Sequence, residues 1–155
     1  MNRTKINVIL DLDNTLISSI DTEEAKKMGL SVVSSRQRKF SWLNMEDEFK
    51  IFARPGLQDF LSWLFANFNV SIWTAASKIY ASFIIQNFVL AGKPERKLDY
   101  ILFSHHCRES KRSHKFQKSL AMMSDVFPLG YDISNTYIID DHKEVYEAQP
   151  KMCIR

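Results

Sequence analysis

The sequence has 155 residues, 45% apolar and 25% charged, a balance that suits one folded domain over 1–155 and excludes disordered or collagen-like classes. Its 21 Lys and Arg against 18 Asp and Glu leave a formal charge of +3, which admits an anionic substrate but does not by itself indicate nucleic acid. No apolar run approaches the roughly 20 residues of a membrane span, and two cysteines, Cys107 and Cys153, are too few for a disulfide framework, so a soluble protein of a reducing, intracellular compartment is expected, cytoplasmic or nuclear.

Residues 1–5 lead directly into an apolar run that stops at Asp11, too short and too soon charged for a signal peptide. Residues 6–10 read as a strand buried on both faces. The polar stretch 18–44 lacks a clear period, and residues 49–53 alternate as a half-exposed strand, so 18–53 is expected to form a hairpin flap. Arg54-Pro55-Gly56 then break the strand. Leu57, Phe60, Leu61, Leu64, Phe65 and Phe68 form the clearest helical stripe. Residues 70–73 give a second buried strand, and Ser77 can cap a helix that carries Tyr80, Phe83, Ile84 and Phe88 and ends at Gly92. A short strand at 100–103, a basic histidine-containing loop at 104–115, a helix at 116–123 and a last clear strand at 136–139 complete the order. This alternation predicts an α/β protein with an open, mostly parallel sheet flanked by helices. In such sheets ligands bind beyond the carboxyl ends of the strands, where Asp11, Thr74 and Asp140-Asp141 fall.

Asp11 and Asp13 stand two apart just past a buried strand. Alone, the segment also suits a strand stop followed by an Asp-Asn turn, and Asp140-Asp141 has the same ordinary alternative. Two acidic clusters at neighbouring strand ends are a stronger signal. Close carboxylates repel unless something cationic lies between them, and their hard oxygens suit Mg²⁺.

The segments Asp11-Leu12-Asp13-Asn14-Thr15-Leu16, Arg54-Pro55-Gly56-Leu57, Trp73-Thr74-Ala75-Ala76, Phe116-Gln117-Lys118-Ser119-Leu120 and Ile139-Asp140-Asp141 occur in an order that resembles the haloacid dehalogenase superfamily. Within it the chain is similar to the RNA polymerase II C-terminal-domain and NLI-interacting-factor-like small phosphatases. The resemblance implies a Mg²⁺-dependent phosphomonoester phosphatase that works through an aspartyl-phosphate. Asp11 would be the nucleophile, Asp13 the general acid and base, Thr74 a donor to the phosphoryl group and Lys118 its charge partner. Asp11, Asp141 and the backbone carbonyl of Asp13 would hold the metal. Thr15 would fix the loop, and Asp140 would orient Lys118 or a metal-bound water. Lys111 and Lys115 compete with Lys118 for its place.

A phosphorylated polypeptide is the expected substrate, because the segment between Asp13 and Thr74 is too short for a large helical cap and suits a hairpin flap over an open site. No direct nucleic-acid or membrane partner is expected. A small phosphate ester, a nucleic-acid end phosphate and a non-catalytic phosphopeptide scaffold are the alternatives. The chain departs from the family pattern in several places. Ala76 replaces a common Ser, and Ser104 and His105 stand where a substrate-binding Arg often occurs, leaving Arg108 or Arg112 as substitutes. Extra residues stand around 127–132. The family's strand and helix after the last acidic motif are expected to be missing here, or the chain to be truncated. His105, His106, Cys107 and His114 lack the paired spacing of a structural zinc site. Arg36, Arg38 and Lys39 read as a solvated loop that, on a flap, would face an acidic or phosphorylated peptide.

Overall fold

The structure is a computed structural model that describes residues 5–126 and 132–155. Its centre is β1 (Asn7–Leu10), whose four residues are all buried. β1 pairs in parallel with β5 (Asn69–Trp73) on one side and β7 (Thr136–Ile139) on the other. β6 (Leu98–Leu102) and β8 (Cys153–Ile154) extend the parallel sheet to the order β6-β5-β1-β7-β8. A strand with neighbours on both edges and helices on both faces has no solvent-facing side, which is why its sequence is a continuous apolar run rather than an alternation. The chain fills one side of β1 first and the other side afterwards. The reversal leaves a crevice at the carboxyl end of β1, and Asp11 stands at its mouth.

Residues 18–53 are more ordered than a hairpin. β2 (Ile17–Asp21), β4 (Phe49–Ala53) and β3 (Trp42–Met45) form an antiparallel sheet in the order β2-β4-β3. Between β2 and β3 lie α1 (Thr22–Met28) and α2 (Leu30–Lys39), where the sequence reading expected irregular chain. α1 has a complete capping box: Asp21 accepts from the Glu24 amide at 2.8 Å and Glu24 accepts from the Asp21 amide. Neither helix shows a strong apolar stripe, because together they bury only Val33. Ile17, Ile51 and Met45 turn the other face of this small sheet into the main core.

Gly56, at φ +77°, allows the sharp corner from β4 into α3 (Leu57–Asn67), which buries Leu57, Leu61 and Leu64. Ser77 caps α4 (Lys78–Ile84), which runs on through a π-helical turn at Ile85–Leu90. The expected loop at 104–115 is instead α5 (Ser104–His114), an 11-residue helix that buries only Cys107 and Ser110 and so carries almost no apolar signal. Helix α6 (Leu120–Val126) starts later than the expected 116. Beyond the last acidic motif, α7 (Lys143–Ala148) and β8 supply a further helix and strand, correcting the expectation that this layer is missing. Of the extra residues around 127–132, positions 127–131 lie outside the described residues. Among the described residues, no helix is long and apolar enough to cross a membrane.

Leu61 is fully buried in the core and Leu30 is 87% exposed. Leu61→Ala should cost about 2–5 kcal/mol through lost transfer energy and a residual cavity, whereas Leu30→Ala should change stability by less than about 0.5 kcal/mol. Urea unfolding of both variants checks the assignment of core and surface.

Candidate active site

Three strand ends meet at the crevice. The amide of Asp11 donates to Ile139 O at 3.0 Å, that of Thr74 to Leu102 O at 3.0 Å, and that of Asp140 to Ile154 O at 3.0 Å. Each residue therefore extends its ladder by one bond before the chain turns away. This fixes the backbone beneath Asp11, Thr74 and Asp140, all three of them buried.

Lys118 closes the group. Its ammonium lies 2.7 Å from Asp11 Oδ1 and 2.5 Å from Asp140 Oδ2, and all three side chains are buried. Lys111 and Lys115 are exposed, so Lys118 is the lysine that the fold brings to Asp11. It does not sit on a helix. Its φ of +56° is left-handed, uncommon for a side chain of this size and a mark of local constraint. The constraint comes from two neighbours. Ser110 Oγ donates to Phe116 O at 2.8 Å and accepts from the Ser119 amide at 2.8 Å. The Gln149 side chain donates to Lys118 O at 2.9 Å and accepts from the Leu120 amide at 3.2 Å. Nothing in the sequence marked Ser110 or Gln149.

The second oxygen of Asp11 accepts from Thr15 Oγ1 at 2.9 Å, and Thr15 Oγ1 accepts in turn from the Asp141 amide at 3.3 Å. The other oxygen of Asp140 accepts from the His142 amide at 2.8 Å. Asp13, half-buried, points elsewhere: its Oδ1 lies 2.6 Å from the Tyr80 hydroxyl, which is 2.7 Å from Ser19 Oγ. Tyr80 has one proton to give, so it serves the carboxylate while Ser19 donates to the phenolic oxygen. The sequence reading placed Tyr80 on a core stripe. Its hydroxyl joins α4 and the flap strand β2 at Asp13. Thr74 Oγ1 accepts from the Ala76 amide at 3.0 Å, which leaves its own proton free to donate.

The chain matches the NLI interacting factor-like phosphatase family over residues 6–155. It belongs to that family. It is 50% identical over 151 residues to the CTD phosphatase-like protein 355R of Invertebrate iridescent virus 6, covering 95% of this chain and 82% of that protein. It is 42% identical over 160 residues to the 355R protein of Invertebrate iridescent virus 3, covering 99% and 83%. The fold resembles fission yeast RNA polymerase II CTD phosphatase Fcp1 bound to beryllium fluoride, with a TM-score of 0.68 and 25% identity. That match covers 97% of this chain but only 41% of the Fcp1 chain.

The electrostatics of this NIF-like phosphatase follow from the burial of its acids. Desolvation raises the Asp11 pKa to about 6; Lys118 opposes the rise and Asp140 adds to it. Burial also raises Asp13, against the hydrogen bond from Tyr80. For Lys118, burial disfavours the charge, but Asp11 and Asp140 together outweigh it and its pKa is raised. Asp11, Asp140 and Asp141 each offer an oxygen within 4.8 Å of the others, a hard-oxygen set that fits Mg²⁺. A divalent cation there would pull the Asp11 pKa back down.

The arginines expected from the sequence to bind substrate, Arg108 and Arg112, lie on α5. Arg112 is held by Glu109 at 2.9 Å and Arg108 is exposed, and neither makes a hydrogen bond to the acidic group. The histidines also have local roles: His106 Nδ1 accepts from the Phe103 amide at 2.9 Å, and His114 Nε2 lies 2.8 Å from Asp125.

Taking one partner from a buried ion pair typically costs about 3–5 kcal/mol. Lys118→Met should destabilise the protein by about that amount in chelator, and adding Asp140→Asn should recover part of the loss. Urea unfolding of the single and double variants measures both steps.

Proposed function

We propose that this phosphatase hydrolyses phosphoserine and phosphothreonine in polypeptides in two steps, with Asp11 as the nucleophile. The observation that carries the reading is the division of labour between the two acids. Asp11 is fixed by Lys118 and Thr15, whereas Asp13 is held apart from them by Tyr80.

In the first step an Asp11 oxygen attacks phosphorus. The bond from phosphorus to the leaving oxygen breaks, and Asp13 gives that oxygen its proton. In the second, Asp13 takes a proton from water, which attacks the aspartyl-phosphate at phosphorus and releases phosphate and the Asp11 carboxylate. Thr74 donates to a phosphoryl oxygen, and Lys118 offsets the charge that builds on the group. Asp11, Asp141 and the Asp13 carbonyl would hold Mg²⁺, while Asp140 keeps Lys118 in place. Bound Mg²⁺ would supply positive charge to an otherwise acidic site. A polypeptide substrate is supported by the cleft of about 490 Å³ beside Asp13, which is lined by Tyr80, Phe49 and Ile79. The resemblance to an RNA polymerase II CTD phosphatase supports it as well.

Two outcomes test the reading. Turnover should fall to background in excess chelator and return with Mg²⁺; full activity without a divalent ion would remove the metal from the account. Asp13→Asn should slow single-turnover release from a phosphoserine peptide by roughly 10²–10⁴-fold. It should slow release from an aryl phosphate much less, since that leaving group needs little acid help. Equal losses on the two substrates would leave Asp13 without an acid role.

A further inference from the structure

On the opposite side of the flap from Tyr80, two cavities of about 490 and 430 Å³ share Phe40, Ala53, Arg54 and Pro55. They form one groove from Asn14, three residues past Asp11, to Asn87 and Phe88 at the end of the α4 helical run. Its charged lining is Arg36, Lys39 and Arg54, with no acidic residue. None of the three is in an ion pair with a described residue. Arg54 donates to Asn14 O at 3.1 Å, which ties the groove to the loop that carries Asp11 and Asp13.

The other clefts around the flap differ in charge. The cleft beside Asp13 adds Glu48 and no Lys or Arg. The cleft under α1 and α2 mixes Asp21, Asp47 and Glu48 with Lys26 and Lys50. An anionic chain that leaves the reaction centre would meet acid on the Tyr80 side and uncompensated cations on the Arg54 side. Guanidinium groups suit carboxylate and phosphate in particular, because their planar forks pair with two oxygens at once.

We propose that this groove binds an acidic or further phosphorylated stretch of the same polypeptide whose phosphorylated residue enters at Asp11. The inference rests on the phosphoprotein reading above and adds to it a charge preference in the sequence flanking the target. Arg36 and Lys39 give the groove its cationic wall on α2, and Arg54 sits at the junction with the catalytic loop. Arg38 is on the same helix but does not line the groove.

The test uses labelled peptides with one central phosphoserine and flanks that are neutral, glutamate-rich or carry a second phosphoserine. Binding is read by anisotropy and turnover by phosphate release. Exposed ion pairs are worth enough for a few-fold change each, so the acidic peptides should bind roughly threefold to tenfold tighter than the neutral one at low salt. The preference should fade as salt rises. Arg36→Glu should abolish or invert it, while Arg38→Glu, with the same change in net charge, should keep most of it. A stronger effect of the second phosphoserine than of glutamate would identify phosphate as the preferred anion; equal effects would identify negative charge in general. No preference in the wild type, or equal losses in the Arg36 and Arg38 variants, would overturn the groove. Turnover failing on every peptide would instead overturn the phosphoprotein reading, while anisotropy would still decide the groove.

Discussion

The ammonium of Lys118 between Asp11 and Asp140 is the contact on which the site depends. Two carboxylates buried at adjacent strand ends repel each other in a medium that screens them poorly. One cation shared between them makes the arrangement tenable. It also leaves the group short of positive charge once Asp141 is counted, since three acids face one lysine. A phosphate ester brings more negative charge to the same place. The shortfall is the physical reason for expecting a divalent cation, and the donor set at hand is one that Mg²⁺ favours.

Much of the surrounding structure serves to place that ammonium. The parallel ladders fix where Asp11 and Asp140 emerge. Lys118 comes from the loop between α5 and α6 with a left-handed backbone, held by Ser110 from α5 and Gln149 from beyond α7. Residues far apart in sequence thus fix one side chain, and α7 with β8 is part of the brace rather than a dispensable layer. The flap does the equivalent for Asp13: the Tyr80 hydroxyl from α4 bonds its carboxylate and is itself bonded by Ser19 on β2. A shift of the flap would therefore be felt at Asp13, whereas Asp11 is held from the sheet.

The buried sheet was legible in the sequence because parallel strands show as short apolar runs that end in a polar residue, and residues 136–139 match the observed strand; residues 49–53 of the antiparallel flap sheet were legible by their alternation instead. Asp11, Thr74 and Asp140-Asp141 could be placed at one edge from alternation alone. α1, α2 and α5 could not be read, because they bury too little for a 3.6-residue period to show. The residues flanking Lys118, Phe116-Gln117 and Ser119-Leu120, fit the family pattern and single it out from Lys111 and Lys115, but its left-handed backbone has no local sequence signature. Tyr80, Ser110 and Gln149 were missed because an aromatic on an apolar stripe, a helical serine and a late glutamine act here only through partners distant in sequence.

The most direct test of the account is whether phosphate passes through Asp11. Excess enzyme should be mixed with an aryl phosphate, whose leaving group needs little acid help, quenched in acid within one turnover, reduced with borohydride and mapped by mass spectrometry. The account predicts homoserine at position 11, the product of reducing an aspartyl-phosphate, with more of it in Asp13→Asn and none in Asp11→Asn. Phosphate release in the first turnover with no modification at Asp11, in both the wild type and Asp13→Asn, would mean that water attacks the substrate directly and would contradict the central claim.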